Sequence, residues 1–261
     1  MKKRFLTLFF IFIFATTALA ATQYTLSGVS YPIVVNGQPM AFTDAVPMNY
    51  QGRTMLPLRA VSEALDVPIE WDGKQVNIDT IDLDKLKDSC VLVEASGKDQ
   101  KGEFIAQGSG VLIDYDEVLT CFHEVNNAST FKIYYDDSVK ANACKLTDTA
   151  ENKDAAVLTP PYKDVKPVKI GDSDEVSIGD KVYVVSCPKN DKNVVASGKV
   201  LQFASINGIS GFTTSALTKE GSSGGACFNC KGELIGIVQS GDDVTRSDIV
   251  PINAIRESLA S

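Results

Sequence analysis

From residue 81 to near its end the chain is a succession of short β-branched runs broken by Gly, Asn, Asp and Pro. That alternation limits the region to a mainly β architecture. The runs are Cys90–Glu94, Gly110–Ile113, Glu117–Thr120, Thr130–Tyr135, Lys181–Ser186, Asn193–Phe203 and Leu234–Gln239. Frequent short strands with turn signals and few helices predict a barrel or a sandwich. Two helical segments flank the strands: Asp82–Asp88 ahead of them, and Ile252–Leu259 as a closing helix that docks on the β core. A hydrophobic share of 44% is enough for a true core.

Before residue 81 the texture differs, and residues 21–80 read as a small α+β domain. Tyr31–Val35 runs into Asn36-Gly37, a hairpin signal, with Met40-Ala41-Phe42 as the expected return strand. Leu58, Val61 and Leu65 fall on one face of a helix centred on Ala60–Leu65. Pro68–Trp71 and Gln75–Ile78 bracket Asp72-Gly73 as a second hairpin. Through Val35-Asn36-Gly37, Gly52-Arg53-Thr54, Leu56-Pro57-Leu58-Arg59-Ala60, Glu63-Ala64-Leu65 and Trp71-Asp72 this stretch resembles the copper amine oxidase N-terminal domain. The resemblance implies a stalk or accessory domain, with a cell-wall or surface component as its conceivable partner. It implies no copper, since residues 31–78 hold neither His nor Cys. Arg53, Arg59, Glu63 and Trp71 are expected to pack and pair within the small domain.

The first twenty residues read as a delivery label. Lys2, Lys3 and Arg4 precede an apolar run from Phe5 to Phe14, and Ala18-Leu19-Ala20 supplies a small-x-small cleavage signal. The expectation is cleavage after Ala20 and export to a periplasm, a surface or the medium. No later stretch of ~20 apolar residues reads as a membrane-spanning helix. The chain carries 25 Lys and Arg against 33 Asp and Glu, a net charge of −8. Removing the leader makes it three charges more acidic. Nucleic acid and anionic lipid are therefore excluded as partners on charge, because both need a basic footprint.

Six cysteines in an exported chain raise the question of disulfides. Cys90, Cys121 and Cys144 lie in the first half of the β region, and Cys187, Cys227 and Cys230 in the second. With odd numbers in each half, either one bridge crosses between halves or at least two thiols stay reduced. Cys227-x-x-Cys230 has no second CxxC to complete a zinc site. No metal and no cofactor are expected.

His123 is the single histidine of the chain, at the end of Val118-Leu119-Thr120-Cys121-Phe122-His123. Gly108-Ser109-Gly110 precedes it, Asp154-Ala155-Ala156-Val157-Leu158 follows, and Gly221-Ser222-Ser223-Gly224-Gly225-Ala226 comes last. These residue types fit acyl transfer. A serine hydroxyl is a poor nucleophile until a base takes its proton, and neutral imidazole serves near pH 7. A buried carboxylate fixes the imidazole tautomer and supports its transient charge.

In this order and texture the motifs resemble the trypsin-like (chymotrypsin-fold) serine peptidases, nearest the Deg/high-temperature-requirement branch, over about residues 88–258. The resemblance implies a two-barrel peptidase domain over residues 81–261 that hydrolyses peptide bonds in protein or peptide substrates. It assigns His123 as general base, Asp154 as its orienting acid and Ser223 as nucleophile. The backbone N–H groups of Gly221 and Ser223 form the oxyanion hole. Leu217 falls near the base of the substrate pocket, and Val238, Gln239, Ser240 and Gly241 form its walls. No carboxylate stands at that base, so a small or medium aliphatic residue is the expected preference. The sequence departs from the pattern at Cys121, Phe122 and Ala226, and at Glu124, which follows the histidine directly. The competing readings are a peptidase-fold binding protein without useful turnover, and a surface anchor acting through residues 21–80. The α/β-hydrolase order, with its late histidine, runs the other way.

Overall fold

The computed structural model describes residues 26–259, apart from 36, 44, 66, 79–80, 136–139, 162–163, 189–192 and 243. The expected leader, residues 1–20, and Asn36 of the first hairpin turn lie outside the described residues. The chain divides into two compact units, the first ending at Ala64 and the second beginning at Leu65.

In the first unit Leu26–Gly28, Met48–Tyr50 and Arg53–Met55 form an antiparallel sheet. Gln51 and Gly52 both take positive φ, 50° and 75°, which is the twist a two-residue hairpin needs. The Val34–Val35 strand returns at Gln38–Pro39, two residues earlier than expected, because the turn closes at Gly37. A bond from Met40 N to Ile33 O continues that ladder. The helix spans Leu58–Ala64. In the second unit Ile69–Trp71 pairs with Val76–Ile78 as expected. Trp71 is 63% exposed, because this hairpin joins no further strand among the described residues.

The rest of the second unit is two antiparallel barrels. The first contains β1 (Cys90–Asp99), β2 (Gly102–Asp114), β3 (Glu117–Cys121), β4 (Ala128–Tyr135), β5 (Asn142–Ala150) and β6 (Ala155–Thr159). They close in the order β3-β6-β5-β4-β1-β2. The second contains β7 (Lys181–Ser186), β8 (Val194–Ile206), β9 (Ile209–Thr214), β10 (Ala226–Phe228), β11 (Glu233–Gly241) and β12 (Ser247–Pro251). Their order is β11-β10-β7-β8-β9-β12, and β11 pairs with β12 to complete the circuit. The helix Leu83–Asp88, capped by the Asp82 side chain, precedes the barrels, and Ile252–Leu259 follows them.

Packing joins the barrels rather than merely filling each one. Val91, Val93, Leu112, Val118 and Ile133 fill the first, and Val182, Val184, Phe212 and Ile249 the second. A third core takes Leu119 and Cys121 from the first barrel, Val185, Ala226 and Ile237 from the second, and Ile252 and Ile255 from the closing helix. Successive strand residues point to opposite faces, so Val118 enters the barrel core while Leu119 enters the seam. Each such aliphatic side chain contributes ~1.5–3 kcal/mol through burial. The seam is thereby closely packed, and Cys121, two residues before His123, is part of it.

Candidate active site

The register of β3 against β6 sets the first half of the site. Cys121 pairs with Ala155, so the residues just past the two strand ends fall side by side. Phe122 N donates to Asp154 O at 3.0 Å. His123 N donates to Asp154 Oδ1 at 2.9 Å, and the ring Nδ1 donates to Asp154 Oδ2 at 2.7 Å. A slip of one residue would part them, since strand side chains alternate faces. Asp154 takes a left-handed backbone, φ 51° and ψ 43°, at the end of the 3-10 turn Glu151–Lys153. Aspartate is among the few residues that tolerate this region, and strain of this kind concentrates at functional sites.

The second half is the loop between β9 and β10. Gly224 N donates to Val238 O, and Val238 N to Gly225 O, both at 2.8 Å. Gly224 has φ +81°, and a Cβ there would stand 2.1 Å from Ser109 O. Only glycine lets the loop approach β2 this closely. Ser222 is buried and ties the loop inward: its hydroxyl accepts from Ser186 Oγ at 3.0 Å and from Lys219 N at 3.2 Å. Among the described residues, the N–H groups of Gly221 and Ser223 have no hydrogen-bond acceptor.

Ser109 links the two halves. Its N–H donates to Ser223 O at 2.7 Å, and its hydroxyl donates to Gly221 O at 2.8 Å while accepting from Cys187 N at 2.8 Å. Its carbonyl accepts from Thr120 Oγ1 at 2.7 Å. The Gly221–Ser222 peptide is thus held at both ends, its carbonyl by Ser109 and its N–H by Lys219 O at 3.0 Å. Sequence reading noted Ser109 only as part of a glycine-flanked motif. A serine between two glycines was the signal available; its full burial is a finding of the structure.

Gln107, Glu124, Thr218, Gly221, Ser223 and Ser240 line a cleft of about 610 Å³ between the barrels, together with Val238 and Gly241. Leu217 is 43% exposed and is not among the lining residues. Thr218 takes that wall, its hydroxyl paired with Ser247 Oγ at 2.8 Å. Gln239 is buried behind Val238 and Ser240, as strand alternation dictates, and presents its carbonyl to Ser223 Oγ at 3.4 Å. Ser240 Oγ is engaged by Asp248 Oδ2 at 2.8 Å.

The imidazole is held by two carboxylates. Besides Asp154, Glu124 Oε1 lies 3.3 Å from Nε2. Hydrogen bonding of the ring to Asp154 and then to Glu124, partly opposed by burial, pushes the His123 pKa up to about 10. Among the described residues no hydrogen bond joins Ser223 Oγ to His123. Cys121 Sγ, His123 and Asp154 also stand close enough together to invite a metal. Their chemistry does not fit one. The Cys121 thiol is fully buried, pushed well up by that burial and by Asp154 and Glu124, and it donates to Val238 O at 3.1 Å. A metal ligand would have to be a thiolate. Cys90 and Cys227 are likewise reduced, and burial pushes both thiols up.

A domain of two six-stranded β-barrels, with His123 and Asp154 bonded together on the first and Ser223 on a loop of the second, has the architecture of the trypsin-like class. Residues 108–237 match the trypsin-like peptidase domain, and residues 26–85 match the copper amine oxidase N-terminal domain. The chain therefore carries a trypsin-like peptidase domain with HtrA/DegP-like homologues, preceded by a copper amine oxidase N-terminal domain. It is 34% identical over 153 residues to the periplasmic serine endoprotease DegP of Escherichia coli strain K12, covering 54% of this chain and 31% of the relative. With the DegP of Salmonella typhimurium it shares 33% over 145 residues, 53% of this chain and 30% of the relative. The chain thus spans about a third of the length of these curated relatives. The HtrA-type protease AlgW with tripeptide superposes with a TM-score of 0.60 at 21% identity, over 67% of this chain and 60% of that one. That likeness speaks for the fold.

Proposed function

We propose that the chain is an exported serine endopeptidase acting through Ser223, His123 and Asp154. The observation that carries this reading is the paired hold of Asp154 on the His123 backbone and ring, next in sequence to Glu124, which lines the cleft that Ser223 also lines. In the proposed reaction neutral His123 Nε2 takes the Ser223 hydroxyl proton as Oγ attacks the scissile carbonyl carbon. The carbonyl oxygen becomes an oxyanion and receives the N–H groups of Gly221 and Ser223. Donors of this kind contribute ~3–4 kcal/mol each to barrier lowering. His123 then gives its proton to the leaving amine, and the C–N bond breaks to leave an acyl ester on Ser223. Water, deprotonated by His123, attacks the ester and releases the acid, with the proton returned to Oγ.

Export rests on the leader pattern at residues 1–20 and on the periplasmic setting named for the relatives. Among the described residues no helix is long and apolar enough to cross a membrane. The N-terminal domain, expected over residues 21–80, is proposed as an accessory or surface-docking module. Protein or peptide substrates are the proposed partners.

One observation favours the second reading, a peptidase-fold binding protein: Glu124 stands on the ring nitrogen that should face Ser223. The deciding experiment is fluorophosphonate labelling of the mature protein beside S223A, with the adduct located by mass spectrometry. An adduct on Ser223, lost in S223A, is the expected result. Absence of an adduct from pH 6 to 11 would transfer the case to the binding protein.

A further inference from the structure

Resting on the serine-peptidase reading, we propose that Glu124 is a positioning residue that holds the His123 imidazole away from Ser223. Its carboxylate must leave Nε2 before the serine can be activated. The geometry is specific. Nε2 has one lone pair or one proton to share, and Glu124 Oε1 lies 3.3 Å from it. Ser223 Oγ meanwhile donates to Gln239 O at 3.4 Å. Glu124 and Ser223 thus line one cleft, while the base and the nucleophile each have another partner.

The carboxylate is seated, not adrift. The Glu124 side chain is 14% exposed. It packs over Gly108, where a Cβ would come within 2.8 Å of Glu124 Cγ. The bare backbone of Gly108 is what leaves room for the carboxylate. Phe122–Val125 is a single helical turn, so Glu124 shares the short segment that carries His123.

The charged and titratable groups around the pair are few. Asp154 faces the ring from the turn before β6, and the Cys121 thiol from the end of β3. Gln107 and Gly108 on β2 bring no charge, while Lys219 and Glu220 line the same cleft from the nucleophile loop. An imidazole between two carboxylates keeps its second proton, and a protonated ring cannot accept one from serine. Moving Glu124 aside restores a base and vacates the position Ser223 Oγ needs.

The single histidine makes the test direct, because one imidazole signal reports the whole chain. The ring of 15N-labelled protein is titrated by NMR from pH 5 to 11 in the wild type, E124Q and E124A, beside fluorophosphonate labelling rates at pH 7.5. E124Q preserves size, so its readout survives should E124A fold poorly. The expected result is a His123 titration at least one unit lower in both variants. Ser223 labelling should rise about tenfold per unit, since the neutral-base fraction changes tenfold. An unmoved titration overturns the proposal. So does a lowered titration with labelling that is present in the wild type but no faster in the variants. A lowered titration with no labelling in any of the three proteins overturns the peptidase reading instead.

Discussion

Ser109 and Ser223 are joined backbone to backbone across the seam, the N–H of Ser109 donating to the carbonyl of Ser223 at 2.7 Å. The Ser109 hydroxyl then fixes the carbonyl of Gly221 at 2.8 Å. The first barrel therefore holds the Gly221–Ser222 and Ser223–Gly224 peptide units, the neighbours of the proposed oxyanion donors. Replacing Ser109 by Ala leaves Gly221 O and Cys187 N without that partner in a buried setting. The expected loss is about 2–3 kcal/mol of stability, measured by urea unfolding. A fall of at least tenfold in Ser223 labelling should accompany it. Unchanged labelling would mean the loop holds its form without β2.

The histidine gives stability a pH signature. Its folded pKa, about 10, lies above the reference value of 6.5. The stabilisation is therefore complete below about 6.5 and is lost as pH rises toward 10, because there the folded state binds the extra proton. The side chain is 41% exposed, so solvent screens the contacts. The expected decline is roughly 1–2 kcal/mol between pH 6.5 and 10, after that discount. Urea midpoints measured across this range in the wild type and in His123→Ala provide the comparison. The slope should flatten in the variant.

Asp154 has two holds on His123, one on the ring and one on the backbone N–H. In Asp154→Asn an amide replaces one carboxylate oxygen, and the tautomer of the ring is no longer imposed. Peptide hydrolysis should fall by ~10⁴ in kcat with little change in KM. A fall of less than tenfold would show that another group orients the base.

Gly224→Ala tests the close approach of the loop. The added Cβ would meet Ser109 O at 2.1 Å and Thr120 Oγ1 at 2.6 Å, at a backbone angle of φ +81°. Neither neighbour is the free end of a flexible chain. The expected destabilisation is about 3–5 kcal/mol by chemical unfolding. A loss below 1 kcal/mol would indicate that the loop relocates at little cost.

Legibility from sequence followed burial pattern. The strand Lys181–Ser186 and the helix Ile252–Leu259 were readable to the residue, because each is an uninterrupted apolar or amphipathic run. β5, Asn142–Ala150, was not, since it alternates Lys, Thr and Asp with small residues and is half exposed. β12 was hidden by Ser247 and Asp248, polar residues that act as hydrogen-bond partners to Thr218 and Ser240. In the site, His123, Asp154 and Ser223 stood out through their motifs. Ser109 did not, because its role depends on three contacts remote in sequence. Thr218 in place of Leu217 was equally hidden, since which of two neighbours turns inward is settled by Ser247.

The seam core has a consequence for biogenesis. The hydroxyl of Ser109 meets a carbonyl 112 positions downstream, and the loop that holds Ser223 leans on β11. In a growing chain the pairing of β3 with β6 can bring His123 and Asp154 together before the loop that bears Ser223 has been made. Reactivity then appears as a late, all-or-none product of long-range assembly. If the proposed peptidase reading holds, an unfinished chain would carry the chemical groups for cutting proteins without the ability to cut its neighbours, or itself.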